Sequence, residues 1–106
     1  MLTLKSHPLV GADFQNGYGW YEDECPGLGG EFAAEFRAAY HRLRLSPLLY
    51  AVRLSGIRRI NFKKFPYGIF YTVRANEIHI LAVLHGSRET RTILAERRRT
   101  FFGHPF

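Results

Sequence analysis

The hydrophobic period of this chain changes once, near residue 46, and that change limits the folds open to it. Before it, apolar side chains recur at three- and four-residue steps, the spacing that lines one face of a helix. Beyond it they alternate or run together in short stretches, as they do in strands. Val10, Phe14, Tyr18 and Tyr21 share one helical stripe, and Trp20 and Tyr21 are expected to anchor it in the core. Gly11, Gly17 and Gly19 each weaken that helix by up to about 1 kcal/mol relative to Ala, so tertiary packing has to hold it. Cys25-Pro26-Gly27-Leu28-Gly29-Gly30 interrupts the pattern with residues that stop helices and permit positive φ, and reads as a short interhelical turn. From Glu31 to about Leu45 a cleaner stripe of Phe32, Phe36, Ala39, Tyr40 and Leu43 follows, with Glu35, Arg37, His41, Arg42 and Arg44 off it, until Ser46-Pro47 ends the helix. Two helices joined by so short a turn are expected to form an antiparallel hairpin.

The second half is rich in Ile, Phe, Tyr and Val over Ile57 to Phe65, Tyr67 to Val73 and Glu77 to Leu84, with Phe65-Pro66 and Arg74-Ala75-Asn76 as connections. These segments suggest an antiparallel meander. Leu81-Ala82-Val83-Leu84 is apolar on both faces, so this strand should be central and covered on both sides. The helical hairpin can cover one face; the other must meet a terminal helix, another chain or both. Leu2 to Lys5 could add an edge strand, and Glu89 to Arg99 could form a final short helix. The expected fold is therefore α+β, an N-terminal helical hairpin packed on a small antiparallel β-sheet with a short C-terminal helix. At 106 residues, the chain is expected to be one domain spanning 1–106.

Fifteen Lys and Arg against nine Asp and Glu leave a formal charge of +6, a field that attracts phosphate, an acidic protein or an anionic surface. Cys25 is the only cysteine, which rules out an intrachain disulfide and a Cys-based zinc site and fits a reducing cytosol. No apolar run approaches the roughly 20 residues of a membrane span and no signal segment is evident, so a soluble, cytoplasmic protein is expected. His7, His41, His79, His85 and His104 are scattered, without the spacing of a metal site, and neither metal nor cofactor is expected. Arg58, Arg59, Lys63 and Lys64 read as one basic strand, either contacting phosphate or protecting a sheet edge. Arg97-Arg98-Arg99, with Arg88 and Arg91 nearby, reads as a solvated face, a nucleic-acid contact or a docking surface for an acidic protein.

Five blocks stand in a telling order: Trp20-Tyr21-Glu22; Pro26-Gly27-Leu28-Gly29 before Glu31-Phe32; Arg58 to Phe65; Phe65-Pro66-Tyr67-Gly68-Ile69 with Tyr71; and Ile80-Leu81-Ala82-Val83-Leu84-His85-Gly86 with Arg88. In that order and spacing the chain, from about His7 to Arg98, resembles the RelE/ParE-type toxins. The resemblance implies a growth-inhibiting activity, a cognate antitoxin protein whose tail wraps the toxin, and a toxin–antitoxin hetero-oligomer. It also implies one of two targets, since members divide between ribosome-dependent mRNA cleavage and inhibition of DNA gyrase. Metal-free RNA cleavage needs converging groups that stabilise the phosphate, deprotonate the 2′-hydroxyl and protonate the leaving oxygen. Arg59 and Arg88 match two basic positions of the RelE-type nucleases, but Asn61, Gly68 and Leu94 stand where those enzymes keep a basic residue, an arginine and a tyrosine. Gyrase inhibition is therefore favoured. The alternatives are a ribosome-dependent mRNA endonuclease using Arg59, Lys63, Arg88 and His85, and an inactive relative that still binds antitoxin. Contacts to nucleic acid or target are expected from Arg58, Arg59, Lys63, Lys64, Arg88 and Arg91, and contacts to an acidic antitoxin from Arg37, Arg42, Arg44, Arg97 and Arg98.

Overall fold

The helical half of the computed structural model, which describes residues 2–86 and 89–102, is built as the period requires. Helix α1 (Val10–Glu24) and helix α2 (Leu28–Leu45) form the expected hairpin. Gly17 sets their closest approach, because a Cβ there would lie 2.4 Å from the Phe32 ring. At the turn Gly27 takes a φ of +94°, which favours glycine. The Glu22 carboxylate accepts from the Gly27 N–H at 3.0 Å and the Gly29 N–H at 2.9 Å, satisfying donors that the first turn of α2 cannot pair internally. A Cβ on Gly29 would lie 2.8 Å from that carboxylate. Glu22 and the glycines of the turn thus act as one capping device.

Phe32 is fully buried and gathers Tyr21, Phe62, Phe65 and Tyr67 at ring separations of 4.9 to 5.5 Å. Tyr21 is the anchor the periodicity suggests. Trp20 is not: it is 63% exposed. One helical residue turns about 100°, which carries Trp20 off the stripe that Tyr21 occupies.

The strands are β1 (Thr3–Ser6), β2 (Val52–Leu54), β3 (Ile57–Asn61), β4 (Tyr67–Arg74) and β5 (Glu77–His85), ordered β1-β5-β4-β3-β2. The sheet is mixed, because β1 runs parallel to β5 while the remaining pairs are antiparallel. Strand β3 stops at Asn61, and β2 pairs along its outer side. The turn between them, Ser55-Gly56, has positive φ at both residues (46° and 78°), as two-residue hairpins need to match strand twist. The C-terminal helix exists as α3 (Thr90–Phe102).

Strand β5 carries the apolar double face, and a bulge explains how. Phe70 pairs with Ala82 and Tyr71 with Ile80, leaving Leu81 without a partner. The extra residue re-phases the strand. Ile78, Ile80 and Val83 face the hairpin with Leu43, Phe32 and Tyr71, whereas Leu81, Ala82 and Leu84 face α3 with Ile57, Phe70 and Leu94. A single sheet thus separates two cores.

Strand β1 reaches only as far as Ile80, so beyond that point β5 has β4 as its one neighbouring strand. Asp13 of α1 and Arg97 of α3 close the gap. The Val83 N–H donates to Asp13 Oδ2 at 3.0 Å, Arg97 Nη1 donates to the Leu81 carbonyl at 2.9 Å, and the two side chains pair at 2.7 Å. Both are buried. The pair gives hydrogen bonds to strand groups that no ladder serves and ties the two helical layers together. No helix among the described residues is long and apolar enough to cross a membrane.

Candidate functional site

The cations that looked like one basic strand are divided by the fold. Arg58 points to the hairpin side and donates to the Tyr50 carbonyl at 2.7 Å and the Leu48 carbonyl at 3.4 Å. Lys63 and Lys64 lie past the end of β3. There the Lys63 N–H donates to Glu35 at 2.6 Å and the Lys64 ammonium pairs with Glu31 at 3.4 Å, both on α2. Only Arg59 faces the α3 side of the sheet, and edge protection is not its role because β2 covers β3. Successive side chains of a strand alternate faces, which is why adjacent basic residues cannot share one.

Arg59 is held by shape. Its guanidinium lies 5.1 Å from the centroid of the Phe70 ring. A Cβ on Gly68 would sit 2.6 Å from Arg59 Nε, and one on Gly86 would sit 3.0 Å from Nη2. Gly68 of β4 and Gly86, just past the end of β5, therefore make the trough in which the guanidinium lies. Arg59 Nε is buried with no acceptor among the described residues. Burial, and then the nearby Arg53, lower the pKa of Arg59, the response expected of a cation short of both water and counter-charge.

Arg53 and Arg59 line a cleft of about 390 Å³ with Arg91, and Glu89 and Thr90 stand at its rim beside the first turn of α3. Its floor is apolar, with Phe70 and Leu94. On the other side of Arg59, a second cleft of about 380 Å³ runs past Asn61 and Pro66 to Tyr67. None of Arg53, Arg59 and Arg91 forms an ion pair with a described carboxylate. Of the expected target contacts, then, Arg59 and Arg91 come together and Arg58, Lys63 and Lys64 do not join them. Arg88 lies outside the described residues. Arg53 is not among the expected contacts: a regular hairpin about Ser55-Gly56 would set Arg53 opposite Arg58, whereas the register shift between Val52 and Leu54 pairs Val52 with Arg58 and leaves Arg53 lining the cleft with Arg59.

His85 ends β5 with its ring 5.4 Å from that of Tyr67. It lines a further cleft of about 270 Å³ that includes Asn16 and the Asp13–Arg97 pair. Of the positions where the resemblance implies nuclease groups, Asn61 is exposed and opposite Gly68 in the β3–β4 ladder, and Leu94 is buried in the α3-side core. Among the described residues, no group of three or more His, Cys, Asp and Glu side chains is placed to hold a metal ion.

The cations expected to meet an antitoxin also separate. Arg37 and Arg44 are exposed on α2. Arg42 donates to the Asn61 carbonyl at 3.1 Å, and Arg98 donates to the Ser55 carbonyl. Arg97 is not a surface cation, since it is buried against Asp13. Next to Arg44 a patch of large apolar side chains faces solvent: Leu45, Leu48, Leu49 and Val52 are 51 to 73% exposed. The backbone beneath them is fastened inward, because Tyr71 donates its hydroxyl to the Pro47 carbonyl at 2.7 Å and Arg58 holds the carbonyls of Leu48 and Tyr50. Burial pushes the Tyr71 pKa up to about 12, so this hydroxyl remains a donor through neutral pH.

No curated protein matches the chain. Its fold is similar to that of a solved chain described as the chromosomal ParDE TA system from P. aeruginosa, with a TM-score of 0.71 at 20% identity over 80% of this chain and 96% of that one. The family model described as the ParE toxin of type II toxin-antitoxin system, parDE, matches residues 4–90, a span that includes the helical hairpin, β2 to β5, all of β1 but Thr3, and the Arg59 trough. With that match over most of its length, the chain belongs to the ParE toxin family of type II toxin–antitoxin systems.

Proposed function

We propose that this ParE-family chain inhibits bacterial growth by binding and arresting DNA gyrase in the cytoplasm, and that a cognate antitoxin neutralises it. The observation that carries the gyrase reading is the state of the nuclease positions: an exposed Asn61, a Cβ-less Gly68 against Arg59 and a core Leu94. None of these side chains can transfer a proton to or from a ribose or a leaving oxygen. Purified toxin at stoichiometric excess is expected to block supercoiling by gyrase and to leave transcripts intact. Undisturbed supercoiling would refute the reading.

The mRNA endonuclease reading keeps one supporting observation, the gathering of Arg53, Arg59 and Arg91 in a single cleft. New transcript ends in primer extension after induction, with normal DNA topology, would establish it in place of gyrase arrest.

Antitoxin binding is supported by charge and by apolar exposure together. Residues 36–76 contain no Asp or Glu, and Arg37 and Arg44 lie exposed near the Leu45-Leu48-Leu49-Val52 patch. An amphipathic segment of the antitoxin, with acidic side chains toward the arginines and apolar ones on the patch, fits both features. Replacing Leu48 and Leu49 by Ser is expected to weaken the toxin–antitoxin complex while leaving the toxin folded. Unchanged affinity would move the antitoxin elsewhere on the surface.

A further inference from the structure

We propose that the cleft between the β2–β3 hairpin and the first turn of α3 binds a compact dianion of the phosphate class, either inorganic phosphate or the terminal group of a phosphomonoester. The proposal concerns binding, and it stands whichever target the toxin arrests.

Arg53, Arg59 and Arg91 line this cleft and, among the described residues, Glu89 is the one carboxylate in its lining, so these residues leave two uncompensated positive charges. A single carboxylate would neutralise half of them; a phosphate dianion neutralises both. Like charges gathered without a partner cost free energy that an anion recovers, and the guanidinium fork suits an oxyanion with several acceptor oxygens.

The site is also preformed around Arg59. Gly68 and Gly86 leave the space that Arg59 fills, the Phe70 ring lies against its guanidinium, and its buried Nε has no acceptor among the described residues. Arg59 is thereby fixed from behind, while the exposed Arg53 and Arg91 can close from two sides. The first turn of α3, at Thr90 and Arg91, adds the positive end of a 13-residue helix to the same cleft. A volume of about 390 Å³ exceeds what one phosphate needs, and the apolar floor of Phe70 and Leu94 can accept the organic part of a monoester.

Isothermal titration of the full-length toxin at constant ionic strength tests this, with inorganic phosphate, 5′-AMP and acetate as probes. Saturable binding of phosphate, with acetate at least about tenfold weaker, is expected. Arg59→Gln and Arg91→Gln should each weaken phosphate about tenfold or more, whereas Arg37→Gln, outside the cleft, should not. Arg91 is exposed, so its variant tests the site even where Arg59→Gln disturbs folding. Tighter binding of 5′-AMP than of phosphate would identify a monoester as the ligand, and equal or weaker binding would identify the free ion. Absence of saturable phosphate binding, equal binding of acetate, or an equal loss in Arg37→Gln would overturn the proposal. Gyrase supercoiling is read separately, so failure of the anion site and failure of gyrase arrest are distinguishable.

Discussion

At the residue scale, Asp13 and Arg97 are the polar side chains on which the fold most depends. Their side chains are only 8% and 10% exposed, and removing one partner strands the other charge away from water. Asp13→Asn is therefore expected to cost about 3–5 kcal/mol of stability in urea unfolding, and a neutral, volume-matched replacement of both residues should cost less than the two single changes added together. His7 sits close by. It accepts the Leu9 N–H at Nδ1 (3.1 Å), so its proton resides on Nε2, which donates to Thr100 Oγ1 at 2.8 Å. Burial, and then Arg97, lower its pKa below 6.5. The folded state thus binds fewer protons than the unfolded one near that pH, so the stability held by neutral His7 is complete above about pH 6.5 and is lost as pH falls through the lowered folded value. His7→Asn is expected to flatten this part of the stability-against-pH curve. A curve as steep as that of the parent would show that another group titrates.

At the level of elements, the helical hairpin depends on one glycine and its turn on one glutamate. Gly17→Ala places a Cβ 2.4 Å from the buried Phe32 ring, and the overpacking should cost about 1–3 kcal/mol despite the better helix propensity of Ala. Chemical denaturation decides the sign. Gly11 and Gly19, which a Cβ would leave without a neighbour within 4 Å, should behave oppositely. The β5 bulge shows a different economy. By turning Leu81 and Ala82 to the same face it lets one strand serve both cores, while the Val83 N–H and the Leu81 carbonyl, beyond the reach of β1, go to Asp13 and Arg97.

For the whole molecule, the two cores share a sheet and should unfold together. Leu94 is 1% exposed in the α3-side core, so Leu94→Ala should cost about 2–5 kcal/mol. Near-ultraviolet signals from the hairpin aromatics should report the same lowered midpoint as the far-ultraviolet helix signal. A separate early transition for α3 would show that the buried Asp13–Arg97 pair fails to couple the layers. Electrostatics follows the same global logic, since cations with anionic partners brace the fold while Arg53, Arg59 and Arg91 converge on a cleft without ion-paired carboxylates.

The sequence by itself determined the helical hairpin, the β3-β4-β5 meander, the double covering of β5 and the family resemblance, because each follows from local periodicity, turn chemistry or block order. The charged inner residue of α1 was also legible in principle, since Asp13 lies between Val10 and Gly17 on the buried stripe. Trp20 off the Tyr21 stripe and Arg58 on the face opposite Arg59 already follow from helix and strand periodicity; tertiary structure alone decided the parallel placement of β1, the burial of Arg97, the β2 register that brings Arg53 to Arg59 and the meeting of Lys63 and Lys64 with α2. Those outcomes depend on which strand lies next to which, where a bulge shifts the phase and which distant carboxylate an arginine meets. Such contacts join residues far apart in the chain, as Asp13 and Arg97 are, and no local pattern encodes them.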